Sequence, residues 1–177
     1  MAANTAWCMP LDKITVREMT LFAVLGALTF AAKYVMAFLP NIEPVSLMMM
    51  LFGVTFGRKA IYPIGLYVLM EILFYGLGTW NVMYVYIWPV LGLGAFALRK
   101  MEQPLGWAIL SGTFGLLFGA LCMPVDIVIG GFAFATAKWV SGIPFDIAHC
   151  AGNFGMALVL ISPLRELLGK LYGRMRK

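Results

Sequence analysis

Apolar residues in this chain gather into runs much longer than a soluble core requires, and polar residues mark where each run stops. The first run covers Met19 to Leu39 and ends at Pro40. Asn41-Ile42-Glu43-Pro44 then reads as a tight turn, because each proline biases its predecessor away from helix. A second run, Val45 to Phe56, stops at Gly57-Arg58-Lys59 and falls short of the roughly 20 residues a spanning helix needs. The third runs from Ala60 to Leu77 and breaks at Gly78-Thr79. The fourth, Trp80 to Leu98, meets Arg99-Lys100 and a polar loop over Met101 to Gly106. The fifth covers Trp107 to Ile129; Gly130-Gly131 opens a longer loop through Gly142, and the sixth runs from Ile143 to Leu164. No internal repeat is visible.

Composition turns these runs into membrane spans. The chain is 62% hydrophobic and only 12% charged, against about 25% charged for ordinary soluble domains. Its 177 residues hold about six spans and little else, which leaves no room for a soluble catalytic or nucleic-acid-binding domain. Three cysteines, Cys8, Cys122 and Cys150, show no CxxC spacing and fit neither a disulfide framework nor a zinc site. Residues 1–18 are too polar for a cleavable signal, so the first run is expected to stay as a helix. The 13 methionines, with Met48, Met49 and Met50 in a row, suit flexible apolar packing.

Charge then decides the topology. All Lys and Arg residues except Lys33 and Lys138 lie in the N-terminal segment, two short loops or the tail. If all six runs cross, Lys13, Arg17, Arg58, Lys59, Arg99, Lys100 and the basic tail share one side, which the positive-inside bias makes cytoplasmic. If the short second run does not cross, both basic loops and the tail fall outside. The expectation is therefore an all-α integral membrane protein with both termini cytoplasmic. It comprises an N-terminal segment (1–18), a compact six-helix transmembrane domain (19–164) and a basic tail (165–177). The net charge of +5 reads as topology, with the tail near anionic lipid headgroups, and calls for no nucleic acid.

The remaining ionisable residues share a depth. An ionised side chain near the middle of a membrane helix costs about 2.5–3.5 kcal/mol on insertion scales, so several in one small bundle need a reason. With the orientation above, Lys33, Glu71, Asp126, Asp146 and His149 all fall towards the outer side. Asp146, His149 and Asn153 share one face of the sixth helix, and Asn81, Tyr84 and Trp88 repeat that spacing on the fourth. A cavity open to the outside, lined by rings and a few hydrogen-bonding groups, suits a small amphipathic ligand. Other roles are open to the same residues. Trp80, Tyr84, Tyr86 and Trp88 also suit an interfacial aromatic belt. Lys33 also suits a structural pair with Glu71 or Asp146, and Asp126 and Lys138 a snorkelling or loop position.

Absent motifs narrow the class. The chain has no HExxH, no Gly-x-Ser-x-Gly and no Walker A sequence, and no nucleophile stands beside its one histidine. It is not expected to be an enzyme or to bind a metal or cofactor of its own. On the first helix Ala23, Ala27 and Ala31 stack at i+4 spacing with Gly26 alongside, a face that admits a close helical partner in lipid. Gly115 and Gly119 make a second such face.

A compact six-helix chain with this Ala-x-x-x-Ala face resembles, over essentially its whole length, the substrate-binding S component of an energy-coupling factor (ECF) vitamin importer. The runs Leu39-Pro40-Asn41-Ile42-Glu43, Phe56-Gly57-Arg58-Lys59-Ala60 and Pro144-Phe145-Asp146-x-x-His149-x-x-x-Asn153-Phe154 look familiar from S components, the nearest branch being the cobalamin type. The resemblance implies a multi-pass protein of the bacterial plasma membrane that captures a vitamin or related micronutrient at its outer face. It implies as partners a transmembrane coupling protein, docked on Ala23, Ala27 and Ala31, and two cytoplasmic ATPases. A corrinoid, a pyridoxine-like vitamer and a queuosine precursor all fit as ligand. The expected substrate contacts are Glu71, Asn81, Tyr84, Trp88, Asp146, His149 and Asn153, with Asn41, Glu43, Lys138 and Trp139 as lid-loop residues. The competing class is a self-sufficient secondary transporter or channel in which Glu71, Asp126, Asp146 and His149 relay protons or ions. A third, an intramembrane enzyme using His149 and Asp146, would show itself by product formation.

Overall fold

The computed structural model describes residues 13–39 and 41–175, and these form helices joined by short turns. Expectations that fall on residues 1–12, including Cys8, on Pro40, and on Arg176 and Lys177 lie outside the described residues. The helices are α1 (Val16–Val35), α2 (Val45–Phe56), α3 (Ile61–Tyr75), α4 (Thr79–Ala97), α5 (Pro104–Leu116) and α6 (Phe118–Met175), with a 3-10 turn at Gly57–Ala60 between α2 and α3. Four helical stretches are long and apolar enough to cross a membrane: Val16–Val35, Val45–Tyr75, Thr79–Ala97 and Pro104–Met175.

The last stretch cannot be one rod. A straight helix with the 58 residues of α6 would run roughly 87 Å, about three times a bilayer's hydrocarbon core. Gly131, at φ 80° and ψ 176°, reverses the chain in a conformation that favours glycine. The contacts are symmetric about it. The Lys138 ammonium donates to Asp126 at 2.5 Å, and the Gly119 N–H donates to Asp146 Oδ1 at 3.1 Å. Gly115 lies against the backbone of His149 and Cys150. Further on, the Arg165 guanidinium donates to the carbonyls of Met101 at 2.8 Å and Arg99 at 2.7 Å. Residues 104–130 and 132–175 are thus two arms of an antiparallel helical hairpin.

The other contacts set the directions. Glu18 meets Lys59 and Lys33 meets Glu71, so α1 and α3 run parallel. Gly53 faces Gly92 and Gly57 faces Phe96, so α2 and α4 run parallel. Asn153 bonds Ser46, and Tyr172 stacks edge-on with Phe56, so the second hairpin arm follows α2. Six helical runs therefore alternate in direction. Lys59, Arg99 and Arg165 lie at one end of the bundle; Lys33, Glu71, Asp126 and Asp146 lie at the other.

The short second run is the centre of this arrangement. Val45, Met49, Met50, Leu51 and Phe52 of α2 are 0% exposed, because its neighbours cover it on every side. Close approach to α4 depends on Gly53, where a Cβ would overlap the Gly92 carbonyl. Its 12 residues are fewer than a lipid-exposed span needs, and they are covered by neighbouring helices.

Several expected boundaries shift. Helix α1 starts before Met19, because Thr15 and Glu18 form a capping box in which each satisfies the other's backbone N–H. The fifth run bends at Leu117 between α5 and α6. The expected loop over Gly130 to Gly142 is helical on both sides of Gly131, so the turn is one residue wide. The expected tail from Arg165 continues the helix to Met175, anchored where the Tyr172 hydroxyl donates to Glu18 at 2.7 Å. The two small-residue faces part company. Ala23 and Ala31 are exposed and Ala27 half-buried, but Gly26 turns inward against Pro63 and Leu66. Gly115 and Gly119 admit a close helical neighbour as expected, and that neighbour is the other arm of the same hairpin.

Candidate ligand cavity

The end of the bundle opposite the basic turns holds a cavity of about 680 Å³. Each wall comes from a different run. Lys33 is in the last turn of α1 and Glu71 one turn before the end of α3, and the parallel course of these helices joins them in a 2.9 Å ion pair. The same ammonium lies 4.9 Å from the centre of the Tyr84 ring. Asn41 and Glu43 enter from the turn before α2. Asn41 adopts a positive φ of 57°, which asparagine tolerates better than most residues. Burial pushes the Glu43 carboxyl above its ordinary pKa; Lys33 pulls it back and Glu71 pushes it further up.

The first hairpin arm contributes Phe118, Cys122 and Asp126, a face repeating every four residues. The second contributes Lys138, Trp139, Phe145, Asp146 and His149. Lys138 clasps Asp126 at 2.5 Å and lies 5.1 Å from the Trp80 ring centre, tying the hairpin to α4. Tyr86 faces the hairpin instead, its hydroxyl donating to the Leu121 carbonyl at 2.6 Å.

Of the substrate contacts expected from sequence, Glu71, Asn81, Tyr84, Asp146 and His149 line the cavity. The Asn81 amide also donates to the Gly76 carbonyl, closing the turn into α4. Two expected contacts lie elsewhere. Trp88 is fully buried beneath the cavity, with Tyr84 5.3 Å above it and Phe114 and Phe118 at 5.8 and 5.7 Å. Asn153 lies deeper, its amide donating to the Ser46 hydroxyl at 3.0 Å and the Ser111 carbonyl at 3.3 Å. Both share a helix face with cavity residues but lie deeper along their helices. The four lid residues Asn41, Glu43, Lys138 and Trp139 all reach the cavity, although Lys138 and Trp139 do so from a helix rather than a loop.

The structure adds Lys33, Asp126, Phe118, Cys122, Tyr75, Trp80 and Phe145 to the lining. Counting back in fours from Asp126 would have found Cys122 and Phe118. Tyr75 sits at a helix end, where sequence periodicity is silent.

Two polar groups in the cavity wall lack a hydrogen-bond partner. Buried polar groups are nearly always paired. Here Asp146 Oδ2 and His149 Nε2 are buried without a partner, as are Trp88 Nε1 beneath them and, deeper in the core, the Ser111 hydroxyl and Asn153 Oδ1. Asp146 and His149 stand nearly one turn apart on one helix face, with the imidazole 5.0 Å edge-on from Phe118. Among the described residues no group of three or more His, Cys, Asp or Glu side chains is placed to hold a metal ion. The arrangement can accept and donate hydrogen bonds to a small molecule and stack aromatic faces on it. Compared with protein-family models, curated proteins and solved structures, the chain finds no match.

Proposed function

We propose that this chain is the substrate-binding S component of an ECF-type importer. In this reading the bundle crosses the bacterial plasma membrane six times with both termini cytoplasmic, and captures a vitamin or related micronutrient at the outer face. Delivery inward then falls to a separate coupling protein and two ATPases. One observation carries the proposal: a one-ended cavity with buried, unpartnered Asp146 and His149 atoms, floored by packed rings and opposite the basic end. The positive-inside bias supports the orientation. The outward exposure of Ala23 and Ala31 supports a helical docking partner.

A cavity of about 680 Å³ falls within the roughly 300–1,000 Å³ typical of small-ligand sites. That size favours a compact heterocycle, such as a pyridoxine-like vitamer or queuosine precursor, over a corrinoid with its nucleotide arm. Native mass spectrometry of the gently purified protein tests capture, and a stoichiometric adduct would give the ligand's mass. Uptake into proteoliposomes with the ATPase module tests coupling. Ala23→Trp and Ala27→Trp are expected to abolish that uptake while leaving binding intact; uptake unchanged by both would refute the docking face.

The shared position of Glu71, Asp126, Asp146 and His149 in one cavity also suits a self-sufficient transporter with an acid–histidine relay. Two of those acids are held by Lys33 and Lys138, which weighs against a free relay. Uptake that needs no ATPase and collapses with the proton gradient would select this second reading.

A further inference from the structure

The charges lining the cavity do not cancel. Four carboxylates, those of Glu43, Glu71, Asp126 and Asp146, face two ammonium groups. Lys33 is taken by Glu71 and Lys138 by Asp126. Among the described residues, neither Glu43 nor Asp146 has a basic side chain at ion-pair distance.

Asp146 is the better placed of the two. It is 5% exposed; its Oδ1 accepts the Gly119 N–H, and its Oδ2 is buried with nothing to accept. His149 is 3% exposed, and its Nε2 also lacks a partner. Leaving an ionised oxygen buried and unpaired is costly, and a ligand that donates to it removes that cost.

The surroundings restrict what that donor is. A Cβ on Gly119 would stand 2.6 Å from Asp146 Oδ2 and 2.8 Å from Trp139 Cδ1, so the free oxygen and an indole edge meet where Gly119 leaves room. Phe118 supplies a second ring beside His149. With four carboxylates against two ammonium groups in the lining, the cavity favours a cation over an anion, and the nearby rings suit a flat one. We infer that the ligand is a flat, cationic nitrogen heterocycle or aryl amidine whose N–H edge donates to Asp146 Oδ2, with His149 Nε2 as the adjoining hydrogen-bond partner. This rests on reading the cavity as the ligand site of the proposed importer, and narrows its substrate class by charge and shape.

Three probes of matched shape test it: benzamidine (cation), benzamide (neutral) and benzoate (anion), each titrated into the purified full chain in detergent and followed by ligand-observed NMR. Benzamidine is expected to bind at least about tenfold tighter than benzamide, as a charge-assisted hydrogen bond implies, with benzoate weakest. Asp146→Asn should remove that preference and leave benzamide affinity nearly unchanged. The order of the three probes on the unsubstituted chain is a test that needs no variant, which covers the case in which Asp146→Asn does not fold.

Benzoate binding as well as benzamidine, no benzamidine binding to the folded protein, or a folded Asp146→Asn protein that keeps the preference would each overturn the inference. The importer reading fails separately. Benzamidine binding without ATPase-dependent uptake would refute the importer and leave the ligand chemistry standing, and coupled uptake with an anion preference would do the reverse.

Discussion

Both ends of the bundle bury a lysine against a carboxylate, yet they finish the job differently. At the basic end Lys59 donates to both Glu18 oxygens, at 2.8 and 3.1 Å, while the Thr15 N–H and the Tyr172 hydroxyl add further bonds at 3.0 and 2.7 Å. The carboxylate is fully used, and the cluster ties α1, the turn before α3 and the last helical arm together. At the cavity end Lys33 takes one Glu71 oxygen, while Asp146 Oδ2 and His149 Nε2 are unused. A satisfied buried network fixes a structure, whereas an unsatisfied one holds its capacity for something else. Residue type does not separate these cases, since Glu18 and Asp146 are both buried carboxylates. Counting hydrogen bonds does.

Substitutions that separate stability from ligand affinity sharpen the contrast. Glu18→Ala strands Lys59 and should cost about 3–5 kcal/mol, the range for breaking a buried pair, read as thermal unfolding in detergent. Ligand affinity of the protein that remains folded should not move; a loss as small as for a surface pair would break the comparison.

Asn153→Ala removes bonds to Ser46 and Ser111 and should cost about 1 kcal/mol, the scale of interhelical hydrogen bonds in membranes. It should leave affinity alone, and a large affinity loss would return Asn153 to the ligand contacts. Asp146→Asn is expected to do the opposite. Its stability change should stay within about 1 kcal/mol, because the Gly119 N–H still finds an acceptor, while ligand binding falls steeply. Unchanged affinity after both Asp146→Ala and His149→Ala would remove the cavity from function. The smallest effect is expected from Glu166→Gln: its pair with Lys170 is exposed on both sides, so no measurable shift in melting temperature should follow.

Much of the candidate site was legible as a depth. Counting along alternating runs brought Lys33, Glu71, Asp126, Asp146 and His149 to one side, and all five line one cavity. Periodicity named the face but not the level, which is why Trp88 and Asn153 joined the set and then proved to lie below it. The Gly115 and Gly119 stripe shows a related limit. Small residues signal a close approach, and only the fold says whether the neighbour is the same chain or another.

The sequence by itself determined what depends on local chemistry and solvent. Long apolar runs call for helices that keep their backbone bonds within the segment, and turn residues and charge say where the runs end and which ends share a side. The start of α1 was set too late at Met19, since the Thr15 and Glu18 capping box that begins it is polar and lies outside the apolar run. Tertiary structure alone decided the rest: that α2 is wrapped by its neighbours, that Gly131 reverses the chain within a residue, and that Lys33 and Lys138 are taken by Glu71 and Asp126 while Asp146 is not. Pairing depends on distances between residues far apart in the chain, and no run of residues read in order contains them.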